Sequence, residues 1–252
     1  RIGADAFNGC TALAEVVVKT PRESLFTIDA NAFYKCSNLK KLVIEGSDTT
    51  DANENCPIYI GDNAFAQCSK LKSVEIGKNA VVFEIGSGAF QLCTALESFS
   101  VDATAKLVTI GSSAFRGCSV LTSFEIHGTT ETVGNSAFEG CGNLSTLSIG
   151  EGTNRLALGK DVFKDCVSLV TINLPSSLTA FDSSILAGCT NIQDIVVMRI
   201  VIRQGTSRDM IDMLLNDIRQ AVEQLDKLEY PTPSRIAHDK EIAKLKAAMT
   251  RV

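Results

Sequence analysis

Ile110-Gly-Ser-Ser-Ala-Phe-Arg-Gly-Cys118-Ser-Val-Leu121-Thr-Ser-Phe124-Glu-Ile126 is one unit of a pattern that recurs along most of this 252-residue chain. Its centre, Ala-Phe-x-x-Cys, returns at Phe7/Cys10, Phe33/Cys36, Phe65/Cys68, Phe90/Cys93 and Phe138/Cys141, and in drifted form at Phe163/Cys166 and Leu186/Cys189. Successive cysteines lie 26, 32, 25, 25, 23, 25 and 23 residues apart, so eight of the nine share one repeated position. Self-similarity at a fixed period of about 20–50 residues marks a solenoid or a related array.

The apolar positions supply the physics. Each cysteine is followed by Leu-x-x-φ-x-φ, with φ apolar, as in Leu71/Val74/Ile76, Leu96/Phe99/Val101, Leu144/Leu147/Ile149 and Leu169/Ile172/Leu174. The last two positions are two apart, which is the period of one face of a β-strand. A single such strand cannot hide its apolar face, whereas a parallel stack with one strand per coil makes a continuous core. The chain is therefore predicted to be a β-rich solenoid of parallel stacked strands, with about eight repeats over residues 1–198. The Phe of each coil is predicted to point inward and stack on the next. Gly61, Gly86, Gly111 and Gly134 are expected where the backbone needs φ > 0 or a tight turn.

The unit Ile-Gly-x-x-Ala-Phe-x-x-Cys-x-x-Leu-x-x-Ile-x-Leu resembles the BspA-like leucine-rich repeat, over about residues 1–198. The resemblance implies a leucine-rich-repeat solenoid of the kind found on surfaces of oral and gut bacteria, spirochaetes and some protists. It also implies adhesion to matrix proteins and aggregation between cells, at an extracellular or cell-surface location. The motif itself is a scaffold and carries no chemistry. Two departures stand out: the Pro that usually follows the strand survives only as Pro175, and residues 47–59 read as an insertion.

The cysteines do not ask for disulfides. Equivalent positions in adjacent coils lie about 4.8 Å apart with side chains parallel, whereas a disulfide wants Cβ atoms about 3.8 Å apart and turned toward each other. A buried thiol acting as a small hydrophobe fits better. Cys56 stands outside the ladder. The stretch from Asp51 through Asn53 and Asn55 to Asp62 has oxygen ligands spaced like a calcium loop, but its sixth place is Cys56 rather than Gly. A plain solvated loop is the expectation there. No metal or cofactor is expected, since there is no CxxC pair and no Cys/His cluster.

Composition closes off other classes. Only 6% of residues are aromatic and there is no Trp. The tail, residues 199–252, holds 10 basic and 8 acidic side chains, so with a net charge of -5 overall the body carries -7. That is not the basic, aromatic-studded footprint of a nucleic-acid binder. No apolar run approaches the roughly 20 residues of a membrane span. The two histidines, His127 and His238, stand in no nucleophile frame, and no Gly-x-Ser-x-Gly or phosphate-binding loop occurs. No enzymatic activity is expected. Asn143-Leu-Ser145 is a formal glycosylation sequon, read as coincidence because Leu144 belongs to the core.

What remains for binding is a concave strand face. Residues between the core positions point outward in two rows. The first is Glu15, Lys41, Ser73, Ser98, Ser123, Thr146, Thr171, Asp194; the second is Val17, Val43, Glu75, Ser100, Glu125, Ser148, Asn173, Val196. Asp102 and His127 lie past the strand ends. The candidate ligand-binding residues are Ser73, Glu75, Ser98, Ser100, Asp102, Ser123, Glu125, His127, Thr146 and Ser148. Their short hydroxyls lose little entropy on ordering and offer hydrogen bonds to a polar or basic protein, or to a glycan. No aromatic anchor is expected on this face.

Beyond Met198 the repeat stops. Residues 196–203 could add a strand. Ile211, Leu214, Ile218, Ala221, Leu225 and Leu228 then follow helical 3-4 spacing, Tyr230-Pro-Thr-Pro233 breaks it, and Ile242, Leu245, Met249 and Val252 resume it. Two helices over residues 206–252 are predicted, either capping the solenoid or, as favoured here, joining copies of the chain as a short coiled coil. Two functions therefore compete: a non-enzymatic adhesion module using the strand face, or a structural spacer of an appendage, filament or virion with the helices as its joint.

Overall fold

A computed structural model of the chain describes residues 1–19, 25–46, 57–150, 156–174, 182 and 184–197. They belong to one compact unit, Arg1–Ile200. The predicted helices, Cys56 and most of the calcium-like loop lie outside the described residues.

Strands on one wall of the solenoid come from the Leu-x-x-φ-x-φ segments. β1 (Glu15–Lys19), β3 (Lys41–Glu45), β5 (Ser73–Ile76) and β7 (Ser98–Val101) form one parallel sheet in that order. β9 (Ser123–Ile126), β11 (Thr146–Ile149), β13 (Thr171–Leu174) and β14 (Asp194–Val197) form another. A third parallel sheet, of six strands, joins β2 (Phe26–Ile28), β4 (Pro57–Ile60), β6 (Val81–Ile85), β8 (Lys106–Ile110), β10 (Thr132–Val133) and β12 (Ala157–Leu158). Six turns thus carry a strand in both walls, with β1 before them and β14 after. The eight copies read from the sequence amount to about six full turns. Residues 57–59, expected within an insertion, belong to β4.

One core runs through all the turns, and its contents follow the repeat. Phe33, Phe65, Phe90, Phe115, Phe138 and Phe163 are buried, as are Cys36, Cys68, Cys93, Cys118, Cys141 and Cys166 and the leucines that follow them. The rings form a continuous spine from Phe7 to Phe163, with centroids 4.9–5.6 Å apart. Offset ring pairs add about 0.5–1.5 kcal/mol each beyond burial.

The turn between the walls is hydrogen-bonded from coil to coil as regularly as the strands. Phe65 N–H donates to Ala89 O at 2.8 Å, Phe90 to Ala114 at 2.8 Å and Phe115 to Ala137 at 2.8 Å. Two positions per turn adopt left-handed φ so that their own N–H groups also reach the next coil: the residue before Ala-Phe (Asn31, Asn63, Ser113, Ser136, Asp161) and the residue before Cys (Lys35, Gln67, Leu92, Asp165). Gly9, Gly117, Gly140 and Gly188 fill the second position elsewhere. The glycines of Ile-Gly play a different part from the one expected. They do not have positive φ; instead, a Cβ on Gly86 would sit 2.6 Å from the carbonyl carbon of Gly61, and one on Gly111 2.7 Å from that of Gly86. Close approach of successive backbones selects glycine here, not turn conformation.

Leu92 is the outlier. It holds φ at 58°, a region that costs an L-residue roughly 1–2 kcal/mol, and it is 44% exposed, so little burial offsets the strain. Leu92→Gly is expected to raise stability by about 1 kcal/mol in urea titration. Stability unchanged or lowered would mean that the packing of Leu92 outweighs its backbone strain.

The cysteines do more than fill space. Seven of the eight described thiols donate to the carbonyl of the Phe one coil back: Cys68 Sγ to Phe33 O at 3.2 Å, Cys93 to Phe65 at 3.2 Å, Cys118 to Phe90 at 3.3 Å, Cys141 to Phe115 at 3.2 Å, and likewise at Cys36, Cys166 and Cys189. The eight described cysteines are free thiols. Burial pushes Cys68 and Cys141 up to about 12 and holds Cys93 and Cys118 well above the usual thiol range.

Candidate functional site

Strand pairing sets the two outward rows. Glu15, Lys41, Ser73 and Ser98 stand in register across β1, β3, β5 and β7, and Val17, Val43, Glu75 and Ser100 form the row beside them. Ser123, Thr146 and Thr171 continue the first row across the second sheet, and Glu125 pairs with Ser148 in the other. Charge on the first half is largely matched: Lys41 Nζ lies 2.9 Å from Glu75, and Lys72 3.3 Å from Glu97. Among the described residues, Glu125 pairs with no cation.

The wall breaks between β7 and β9. These strands are neighbours along the solenoid, yet they are edges of two different sheets, while β6 and β8 behind them stay paired. Two side chains set these turns apart. The first inward strand position holds Val16, Leu42, Val74, Leu147 or Ile172 in five other turns but Phe99 and Phe124 in these two. The two rings lie 5.4 Å apart and flank Phe115 at 5.0 and 5.1 Å. The break thus falls where two adjacent coils carry an aromatic ring in place of an aliphatic side chain.

The gap is a cleft of about 290 Å³. Phe99, Phe124 and Val101 make its apolar floor, and Ser100, Ser123, Glu125, His127, Thr146 and Ser148 its polar rim. Phe99 is 9% exposed and Phe124 3%, so both remain core residues that also show an edge to the cleft. The His127 ring is fixed from behind. Thr129 N–H donates to Nδ1 at 3.3 Å, the Thr129 hydroxyl lies 2.9 Å from the same nitrogen, and that hydroxyl accepts from Leu107 N–H at 2.9 Å in β8.

Six of the ten sequence-selected residues thus meet in one place. The other four do not. Ser73, Glu75 and Ser98 lie along the flat part of the face, where Glu75 is held by Lys41. Asp102 caps its own turn, its Oδ1 accepting from Thr104 N–H at 2.9 Å and from the Thr104 hydroxyl at 2.6 Å. Those bonds, the hydroxyl first, hold its carboxyl below the ordinary Asp range. Phe99 and Phe124, expected as inward strand positions, are core residues that add an edge to the cleft floor. Their signal was present in the sequence as two adjacent copies with Phe where the others carry an aliphatic residue.

A broader groove, about 420 Å³, lies against the six-stranded sheet and includes Leu25, Tyr59 and Glu84. Beside it, a bulge between β4 and β6 leaves Phe83 43% exposed and 5.1 Å from Tyr59. Among the described residues no group of three or more His, Cys, Asp or Glu side chains could hold a metal ion, and no helix is long and apolar enough to cross a membrane.

A stack of parallel strands around an aromatic spine, with hydroxyls and acids on one wall, defines a leucine-rich-repeat scaffold. The chain belongs to the BspA type leucine rich repeat region family, which matches residues 1–106, 52–157 and 108–205 in six copies. Among solved structures it is similar to a leucine-rich repeat protein of T. pallidum, with 27% identity, a TM-score of 0.51, and coverage of 66% of this chain and 69% of that one. A leucine-rich repeat protein from Bacteroides ovatus matches at 19% identity and a TM-score of 0.44, over 77% of this chain and 63% of that one. A leucine rich cell surface protein from Faecalibacterium prausnitzii matches at 18% identity and a TM-score of 0.36, over 79% and 81%. No curated protein matches the chain.

Proposed function

We propose that this solenoid is a non-catalytic protein-binding module, displayed at a cell surface, whose strand face meets the partner. Membership of a repeat family that commonly binds proteins supports the general activity. The location follows from the resemblance set out above. The observation that carries the choice of face is the cleft between β7 and β9, which gathers six outward-pointing polar side chains around an apolar floor. Such concentration of apolar surface within a polar rim is the anatomy of an interface centre.

Surface plasmon resonance over immobilised fibronectin, laminin and collagen tests it. Saturable binding to at least one of them is expected, reduced at least tenfold by the double variant Ser123→Arg with Thr146→Arg, which crowds the face without touching the core. Absence of binding to all three, or equal binding by the variant, would overturn the assignment.

A further inference from the structure

We infer that the cleft between β7 and β9 receives a basic side chain, Lys or Arg, projecting from the partner protein. This rests on the reading of the strand face as a protein-binding surface and names the chemistry at its centre.

Four observations converge. The first is size. About 290 Å³ corresponds to roughly ten water molecules at about 30 Å³ each, room for one long side chain with residual water and too little for a folded element. The second is charge. The rim has one carboxylate, Glu125, and no described cation pairs with it, whereas nearby Glu75 and Glu97 each have a lysine. An incoming cation therefore meets a carboxylate that needs no existing ion pair to be broken.

The third is the lining. Lys and Arg have apolar stems beneath charged heads, and such stems settle on apolar surface while the head stays at the polar margin. Phe99, Phe124 and Val101 form that surface, and Glu125 lies at the margin. The fourth is the backbone. β7 and β9 are sheet edges that face each other without a ladder, so both present main-chain N–H and C=O groups toward the gap, the carbonyls among them open to a donor. Guanidinium and ammonium groups are donors only, with five and three N–H bonds, and can serve a carboxylate, carbonyls and the hydroxyls of Ser100 and Ser148 together. A neutral sugar would also engage these hydroxyls, but would leave Glu125 without a counter-charge.

The test uses the full chain and a defined probe. N-acetyl-arginine amide is titrated into isotope-labelled protein and followed by NMR, with glucose and galactose titrated in parallel. Saturable shifts are expected in the ring and methyl signals of Phe99, Phe124 and Val101, with binding weakened at least tenfold by Glu125→Gln. Glu97→Gln, which removes the same charge from a carboxylate already held by Lys72, is expected to change affinity less than twofold.

Equal loss in both variants would reduce the effect to general surface charge and overturn the inference. Shifts with a sugar and none with the arginine probe would overturn it in favour of a glycan site. The two proposals can fail separately. If the chain binds a matrix protein but excess arginine amide and Glu125→Gln leave that binding unchanged, the basic-side-chain site is wrong and the binding face stands. If the arginine probe binds as expected while no matrix protein does, the site stands and the matrix-protein function is wrong.

Discussion

Raising the pH from 8.5 to 10.5 is expected to unfold this protein, and the reason is the thiol ladder. An unfolded cysteine ionises near 8.5. In the folded chain Cys68 and Cys141 hold their protons up to about 12, and Cys93 and Cys118 stay well above the ordinary range, all chiefly because burial penalises the thiolate. The sign follows directly. Below pH 8.5 both states are protonated, and the buried thiols contribute their full stabilisation. Above it the unfolded state has lost protons that the native state retains, so stability falls as pH rises, until the folded thiols ionise in their turn.

Each such thiol contributes about 1.4 kcal/mol per pH unit in that window, so four give roughly 5–6 kcal/mol per unit. Domains are stable by only about 5–15 kcal/mol in total. Urea titrations in reductant at half-unit intervals from pH 7.5 to 10.5 measure the slope. In Cys93→Ala with Cys118→Ala it should be shallower by about 2.7 kcal/mol per unit. An unchanged slope in that double variant would show that other groups govern the alkaline transition.

The second large effect belongs to the spine. Phe115 is fully buried and touches four rings: Phe90 at 5.4 Å, Phe138 at 5.1 Å, Phe99 at 5.0 Å with the planes nearly perpendicular, and Phe124 at 5.1 Å. Removing a buried Phe side chain costs about 3–5 kcal/mol through lost transfer energy and the residual cavity. The four ring partners place Phe115→Ala at the upper end of that range. Phe7 occupies the same position of its repeat but is 41% exposed, with one ring neighbour, Phe33. Phe7→Ala should therefore cost about 1 kcal/mol or less. Denaturant midpoints decide the matter: equal losses for the two variants would mean that repeat position, rather than packing, sets the cost.

These contrasts show where the sequence was sufficient and where it was not. The inward Phe, Cys and Leu of each unit were legible because they recur at one position, and so were the outward rows, because a strand alternates its faces. The six-stranded sheet was not. Its strands, from Phe26–Ile28 to Ala157–Leu158, fall where the repeat varies in length, and two of them have only two residues, too few to show a period. Gly86 and Gly111 were assigned to turn conformation because the approach of a second backbone cannot be read from one coil.

The same holds for the thiols. A small buried side chain looks apolar in sequence, and its donation to Phe65 O or Phe90 O depends on the coil before it. The cleft is the clearest case. It lies at two non-repeating residues, Phe99 and Phe124, in a repeating frame, and a consensus conceals what departs from it. Ser73, Glu75, Ser98 and Asp102 were grouped with the cleft residues by their row alone. Only the break in the wall separates them.

That break has a mechanical result. Between β7 and β9 the front wall has no ladder, while β6 and β8 remain bonded at the rear. Material cut through one side and whole on the other has its compliance concentrated at the cut, like a scored card. The first four front strands and the last four meet there through side chains alone, whereas the β6–β8 ladder and the turn bonds from Gly88, Phe90 and Leu92 to Ser112, Ala114 and Arg116 tie the same two coils elsewhere. A ligand seated at the cut would bridge two strand edges that the backbone leaves unjoined.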